Sequence, residues 1–226
     1  MKKILTLLFI LVVAGFSATA QDTYRPDYNK IAKNVSDKSS AYYYPELRER
    51  YIKADTSMTL EQRRHLYYGY AFNRGTTSAT ESAAAIAKLN ELLVKPNPTD
   101  ADFETVLGYT ATVLAYMPFS ITVKQYREFC LQKLGRHGEA ITERAQTEMV
   151  IDAILSSGDG KTMENSIHVV EPENEFEVVT VIGYKPQNQM YATNGEIDYI
   201  ELSENLYGTE GLFFVVAQVP KEVTGL

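Results

Sequence analysis

The sequence predicts an α+β fold in which stacked α-helical hairpins precede a small antiparallel β-sheet. Three observations predict it. Hydrophobic residues recur at helical spacing from Thr59 to about Ser157 and then alternate at strand spacing toward the C-terminus. Helix-start signals recur at Thr59-Leu-Glu-Gln62, Ser78-Ala-Thr-Glu81 and Thr99-Asp-Ala-Asp102. Asn194-Gly195, flanked by apolar alternation, is the strongest short hairpin signal.

Residues 1–20 read as a signal peptide. Lys2 and Lys3 precede an apolar run from Ile4 to Phe16, and Ala18-Thr19-Ala20 supplies the small-x-small cleavage pattern, so a mature chain is expected to begin at Gln21. No cysteine stands near that cut, which argues against a lipid anchor. No downstream run reaches the length of a membrane span, and the expected location is periplasmic or secreted. Loss of Lys2 and Lys3 moves the formal net charge from −7 to −9, and the only basic cluster is Arg63-Arg64. Nucleic acid and anionic membranes are therefore disfavoured as partners, because their phosphates need a concentrated positive face. Cys130 is the single cysteine, so no intramolecular disulfide supports the fold.

Residues 21–58 form a polar, tyrosine-rich segment with one or two short helices around a loop from Ser36 to Ala41. Residues 59–157 form the helical-hairpin region. Its stops are Gly75, Pro96 with Pro98, Pro118, and Gly135 with Gly138, giving five helices. The run RRHLYYGYAFNR (63–74) opens this region. On a helix Arg63, Arg64 and His65 project about 100° apart and do not converge. Leu66, Tyr67, Tyr68, Tyr70, Ala71 and Phe72 cover nearly the whole circumference, which describes a helix packed on two sides. Gly69 is expected to admit a partner helix, and Tyr68-Gly69-Tyr70 recurs as Leu107-Gly108-Tyr109. Ala85, Leu89, Leu92 and Leu93 form one following stripe, and Val123, Tyr126, Cys130 and Leu134 another; the helix over 139–155 caps the stack. This apolar-Gly-x-x-aromatic helix followed by an Ala-x3-Leu helix and a proline resembles the tetratricopeptide pattern, with a period of 39 residues between the two glycines.

Residues 158–226 are read as an antiparallel β region packed on the helices, with about five strands. These are SIHVVEP, EFEVVTVIGY with Phe176, Val178, Ile182 and Tyr184 on one face, two strands around Asn194-Gly195, and GLFFVVAQVP.

The chemical motifs resolve into structural ones. GDGKT (158–162) lacks the first glycine of a phosphate loop and follows a helix where a strand is needed, so it reads as a helix stop and turn. Calcium-loop spacing is absent, His65, His137 and His168 show no zinc spacing, and Cys130 sits on an apolar stripe as a small core residue. Glu46 and Glu49 lie on a polar helix face. No catalytic residue, metal ligand or cofactor is assigned.

YYPELRERYIKADTSMTLEQRRHLYYGYAFN (43–73) resembles the N-terminal signature of an exported bacteroidete family classed as a domain of unknown function, and GDGKTMENSIHVV with VIGYKPQNQ resembles its helix-to-sheet junction. The resemblance implies export and the helices-then-sheet layout, and carries no catalytic residues. FNRGTTSATE departs from the aromatic-Pro continuation of that family. The favoured function is a non-catalytic protein- or peptide-binding module of the cell envelope, with Arg64, Tyr67, Tyr68 and Tyr70 as its candidate binding residues. The alternative is an envelope hydrolase acting on glycan or peptide, using Glu104 or Glu128 with His65 or His137.

Overall fold

The computed structural model describes residues 24–74, 78–191 and 196–217. The expected signal segment, Gly75 and Asn194-Gly195 lie outside them. Helices come first and a small sheet follows, as expected.

Two short helices, α1 (Tyr28–Ser36) and α2 (Tyr44–Ile52), flank the loop after Ser36. The Asp27 carboxylate caps α1 by accepting from the Lys30 amide, and Pro45 sits in the first turn of α2. α3 (Leu60–Gly69) begins with a capping box in which Thr59 and Gln62 satisfy each other's backbone amides, and continues as a 3-10 turn over Tyr70–Phe72. α4 (Ala79–Leu93), α5 (Asp100–Tyr116), α6 (Ile121–Lys133) and α7 (His137–Leu155) complete the five expected helices. Ser78, Thr99 and Ser120 cap the first three of these with side-chain oxygens.

α4 to α7 pack in sequence, each on the next, through short connections. α3 departs from the expected hairpin pairing. It packs against α1, α2 and α7, because its apolar surface is shared by those three helices. Gly69 explains part of this choice: a Cβ there would lie 2.7 Å from Val35 Cγ1 and 3.4 Å from Tyr44 Cδ2, so only a bare backbone lets α1 approach. Its expected echo fails, since a Cβ at Gly108 would meet nothing within 4 Å.

The segment 175–184, expected as a strand, is helical through Val181 and then turns. Pro172 precedes α8 (Glu173–Val181), the exposed Glu173 carboxylate favours its N-terminus, and Asn174, Glu175, Val178 and Val179 form its buried face. The alternating reading skipped Thr180, which is exposed here. The strands are β1 (Ile167–Val169), β2 (Pro186–Tyr191), β3 (Asp198–Leu202) and β4 (Gly211–Val216), in the order β1-β4-β3-β2. The sheet is mixed, not antiparallel throughout: β2, β3 and β4 form an antiparallel meander, and β1 pairs parallel to β4. The intervening α8 carries the chain away from β1, and the returning meander closes beside it in the same direction. Side chains from the helical half hold β1 and the residue after it: Ser157 Oγ, in the turn after α7, accepts from the His168 amide at 2.9 Å, and Tyr67 Oη from the Val170 amide at 3.1 Å.

Two apolar clusters result. The larger joins α1, α2, α3, α7 and α8 to the sheet through Tyr67, Phe119, Ile154, Val178, Ile200 and Phe214; the smaller is formed by α4, α5, α6 and the start of α7 around Leu89, Val113 and Cys130.

Candidate functional site

The four residues expected to bind are placed in or against the larger core. Tyr67 is 1% exposed, and its hydroxyl donates to Asn174 Oδ1 at 2.7 Å while accepting from the Val170 amide. Tyr68 is 0% exposed, its hydroxyl between the carbonyls of Ala153 and His168 at 3.2 and 3.3 Å. Tyr70 is buried, donates to the Tyr116 carbonyl at 2.7 Å and meets Phe119 edge-on. The Arg64 guanidinium stacks 3.9 Å from the Tyr24 ring centroid and donates to Ser156 Oγ at 2.9 Å. Arg63 pairs with Asp152, and Arg74 pairs with Glu171 at 2.8 Å and donates to the Val170 carbonyl. This run therefore ties α3 to α7, β1 and the segment before α8.

His65 is a satisfied core histidine. Asn34 Nδ2 donates to its Nε2 at 3.0 Å, which leaves the Nδ1 proton for the Glu61 carbonyl at 2.9 Å, and the ring stacks on Tyr42 with centroids 4.0 Å apart. Burial lowers its pKa below the ordinary value. Glu104 pairs with Arg136, Glu128 pairs with Arg144, and His137 is exposed at the first residue of α7. GDGKT is a turn built against the sheet: a Cβ at Gly158 would lie 2.3 Å from the Asn165 carbonyl oxygen, and the Gly160 carbonyl accepts from the Phe213 amide at 2.7 Å. Among the described residues no group of three or more His, Cys, Asp or Glu side chains is placed to hold a metal ion.

Two buried arrangements of ionisable groups were not legible in the sequence. Lys124 is 4% exposed, between Glu143 Oε2 at 3.0 Å and Gln146 Oε1 at 2.6 Å; Arg127 reaches the other Glu143 oxygen at 2.6 Å, and Gln146 donates to the carbonyls of Tyr51 and Ile52. The network locks the end of α2 onto α6 and α7. Glu175 on α8 is fully buried and shares a hydrogen bond with Asp198 on β3. Burial first, then that hydrogen bond and the Asp198 and Glu173 charges, raise the Glu175 carboxyl to about 9, so it is a neutral acid at pH 7.

Among the described residues, two concave surfaces lie open to solvent. One, with a volume of about 490 Å³, lies where β3 and the β3–β4 loop meet, lined by Gln187, Tyr199, Glu201, Asn205, Thr209 and Glu210 among others. Its loop is held by Asn205, whose Nδ2 donates to the carbonyls of Ser203 and Thr209 and whose Oδ1 accepts from the amides of Tyr207 and Thr209. Those four bonds present Leu206 at 101% exposure and Tyr207 at 79%. The other, about 240 Å³, is an apolar groove where α4, α5, α6 and α8 meet. Sequence reasoning passed over both. The signal for the loop was two apolar residues inside a turn-forming stretch, Glu204-Asn205-Leu206-Tyr207-Gly208.

Among the described residues no helix is long and apolar enough to cross a membrane. No match emerged among curated proteins or among solved structures. The model of a family described as Domain of unknown function (DUF4919) matches residues 29–224, nearly all of the described structure and both halves of the fold. The chain belongs to the DUF4919 family.

Proposed function

We propose that this chain is an exported, non-catalytic protein- or peptide-binding module of the cell envelope that meets its partner through the β3–β4 loop. The observation that carries the reading is the presentation of Leu206 and Tyr207 in solvent by a loop pinned at Asn205. Exposing two large apolar side chains costs hydration free energy that burial under a partner would recover, and a loop already fixed loses little entropy on docking. The Tyr207 ring rests edge-on against Tyr184, 6.0 Å between centroids, which orients it outward as an anchor. In this reading the aromatic run around Arg64, Tyr67, Tyr68 and Tyr70 is scaffold. The antiparallel series α4 to α7 is its tetratricopeptide-like part, and the likeness of residues 43–73 to exported bacteroidete proteins supports the location.

The test is site-specific photo-crosslinking from position 206 in envelope extract, compared with a Leu206→Ser/Tyr207→Ser double variant in a pull-down. A discrete partner crosslinked at 206 and lost from the double variant, with melting temperature unchanged, is the expected result. A partner retained by the double variant would move the interface elsewhere, and turnover of a peptide or glycan substrate by the protein would overturn the non-catalytic reading.

A further inference from the structure

We propose that the groove between α4, α5, α6 and α8 is a binding site for a single lysine side chain presented by a peptide or protein. The site shares no lining residue with the cleft at the β3–β4 loop, and it stands whether or not that loop docks a partner.

Its walls are mainly aliphatic, with Ile86 and Leu89 from α4, Val113 from α5, Met117 just after it and Val123 from α6, beside the polar Asn90, Thr122 and Tyr126. Its polar end is anionic. Glu173 and Glu177, one turn apart on α8, both line the groove, and no lysine or arginine does. Glu177 is fixed in place. Its carboxylate accepts from Ser120 Oγ at 2.6 Å, from the amides of Ile121 and Thr122 at 2.9 and 3.0 Å, and from Asn174 Nδ2 at 2.8 Å. Those bonds satisfy its lone pairs and leave its negative charge beside the groove. Glu173 is exposed and forms no ion pair among the described residues. It is free to turn toward a cation.

Size and charge together select the occupant. A volume of about 240 Å³ is below the roughly 300–1,000 Å³ of pockets that take drug-sized ligands, and suits one long side chain. A wholly apolar occupant would strip water from the carboxylate end and return no hydrogen bond, which opposes its binding. An alkyl stem ending in a compact ammonium answers both parts: four methylenes lie along the aliphatic walls and the charged head reaches Glu173 within the field of Glu177. Tyr126 also lines the groove, and burial first, then the charge on Glu177, raises the pKa of its hydroxyl.

The experiment is a titration of the protein with Nα-acetyl-lysine methylamide, read by methyl NMR. The norleucine and arginine analogues serve as controls. Saturable shifts confined to Ile86, Leu89, Val113, Met117 and Val123 are expected, with the lysine analogue about fivefold tighter than norleucine, as a partly exposed ion pair allows. Glu173→Gln, an exposed substitution that should leave the melting temperature unchanged, is expected to weaken lysine binding about threefold and leave norleucine unaffected. Norleucine binding as well as lysine, arginine binding better than lysine, shifts scattered outside the groove, or the absence of saturation would each overturn the proposal.

Discussion

Replacing each of two glycines by alanine should move stability in opposite directions, although the sequence presents them as echoes of each other. At Gly69 the added Cβ would sit 2.7 Å from Val35 Cγ1 and 3.4 Å from Tyr44 Cδ2. Ordinary carbon contacts lie near 3.5–4.0 Å, so α1 must shift by roughly 0.8 Å or more, or Val35 must leave its rotamer. Val35 is 2% exposed and β-branched, so neither adjustment is free. Overpacking of this kind costs about 1–3 kcal/mol, against a gain in helix propensity of at most about 1 kcal/mol. Gly69→Ala should therefore destabilise, by up to about 2 kcal/mol after that gain. Gly108 lies in the interior of α5 with nothing within 4 Å of its added Cβ, so only the propensity term acts, and Gly108→Ala should stabilise by about 0.5–1 kcal/mol. Urea unfolding followed by far-UV circular dichroism measures both. Val35→Ala in the Gly69→Ala background should restore part of the loss, giving a favourable coupling in the double-mutant cycle. Gly69→Ala at or above the stability of the parent, or additive losses in the cycle, would refute the claim that α3 and α1 meet at this glycine.

Three further outcomes follow from the buried polar groups. Glu175 is neutral in the fold up to about pH 9 and ionises near 4.5 when unfolded, so its stabilising contribution is complete below about 4.5 and declines as pH rises toward 9, by about 1.4 kcal/mol per pH unit. Glu175→Gln should match the parent at pH 4 and exceed it increasingly toward pH 8 in urea midpoints; parallel curves would show that no proton is held there. Glu143→Ala should cost about 3 kcal/mol by leaving Lys124 and Arg127 without their shared carboxylate, whereas exposed Glu91→Ala should change the melting temperature little. Cys130, 1% exposed and pushed up to about 11 by burial, should react slowly with an aqueous thiol reagent until the chain is denatured, and equal rates in both states would place it at the surface.

What the sequence determined by itself is what local chemistry can decide. Thr59, Ser78 and Thr99 start helices because a side-chain oxygen three residues from an orphan amide acts within one turn. Cys130 is buried because it lies on an apolar stripe. The alternation in 198–202 and the apolar run in 211–216 gave strands. Tertiary structure decided the rest. The segment 173–181 has enough β-branched residues for either state, and becomes helical because Val178 and Val179 find the core on one side while Thr180 faces water. The pairing of β1 with β4 joins residues 167 and 214, and the choice of α7 over α4 as the neighbour of α3 rests on Tyr68 reaching Ala153. The groove takes Ile86, Val113, Val123 and Glu177 from four helices, and the buried acid pair joins α8 to β3. Such groups meet only after loops have closed, so the free energy that selects their arrangement belongs to the packed core and leaves no periodic trace in the chain.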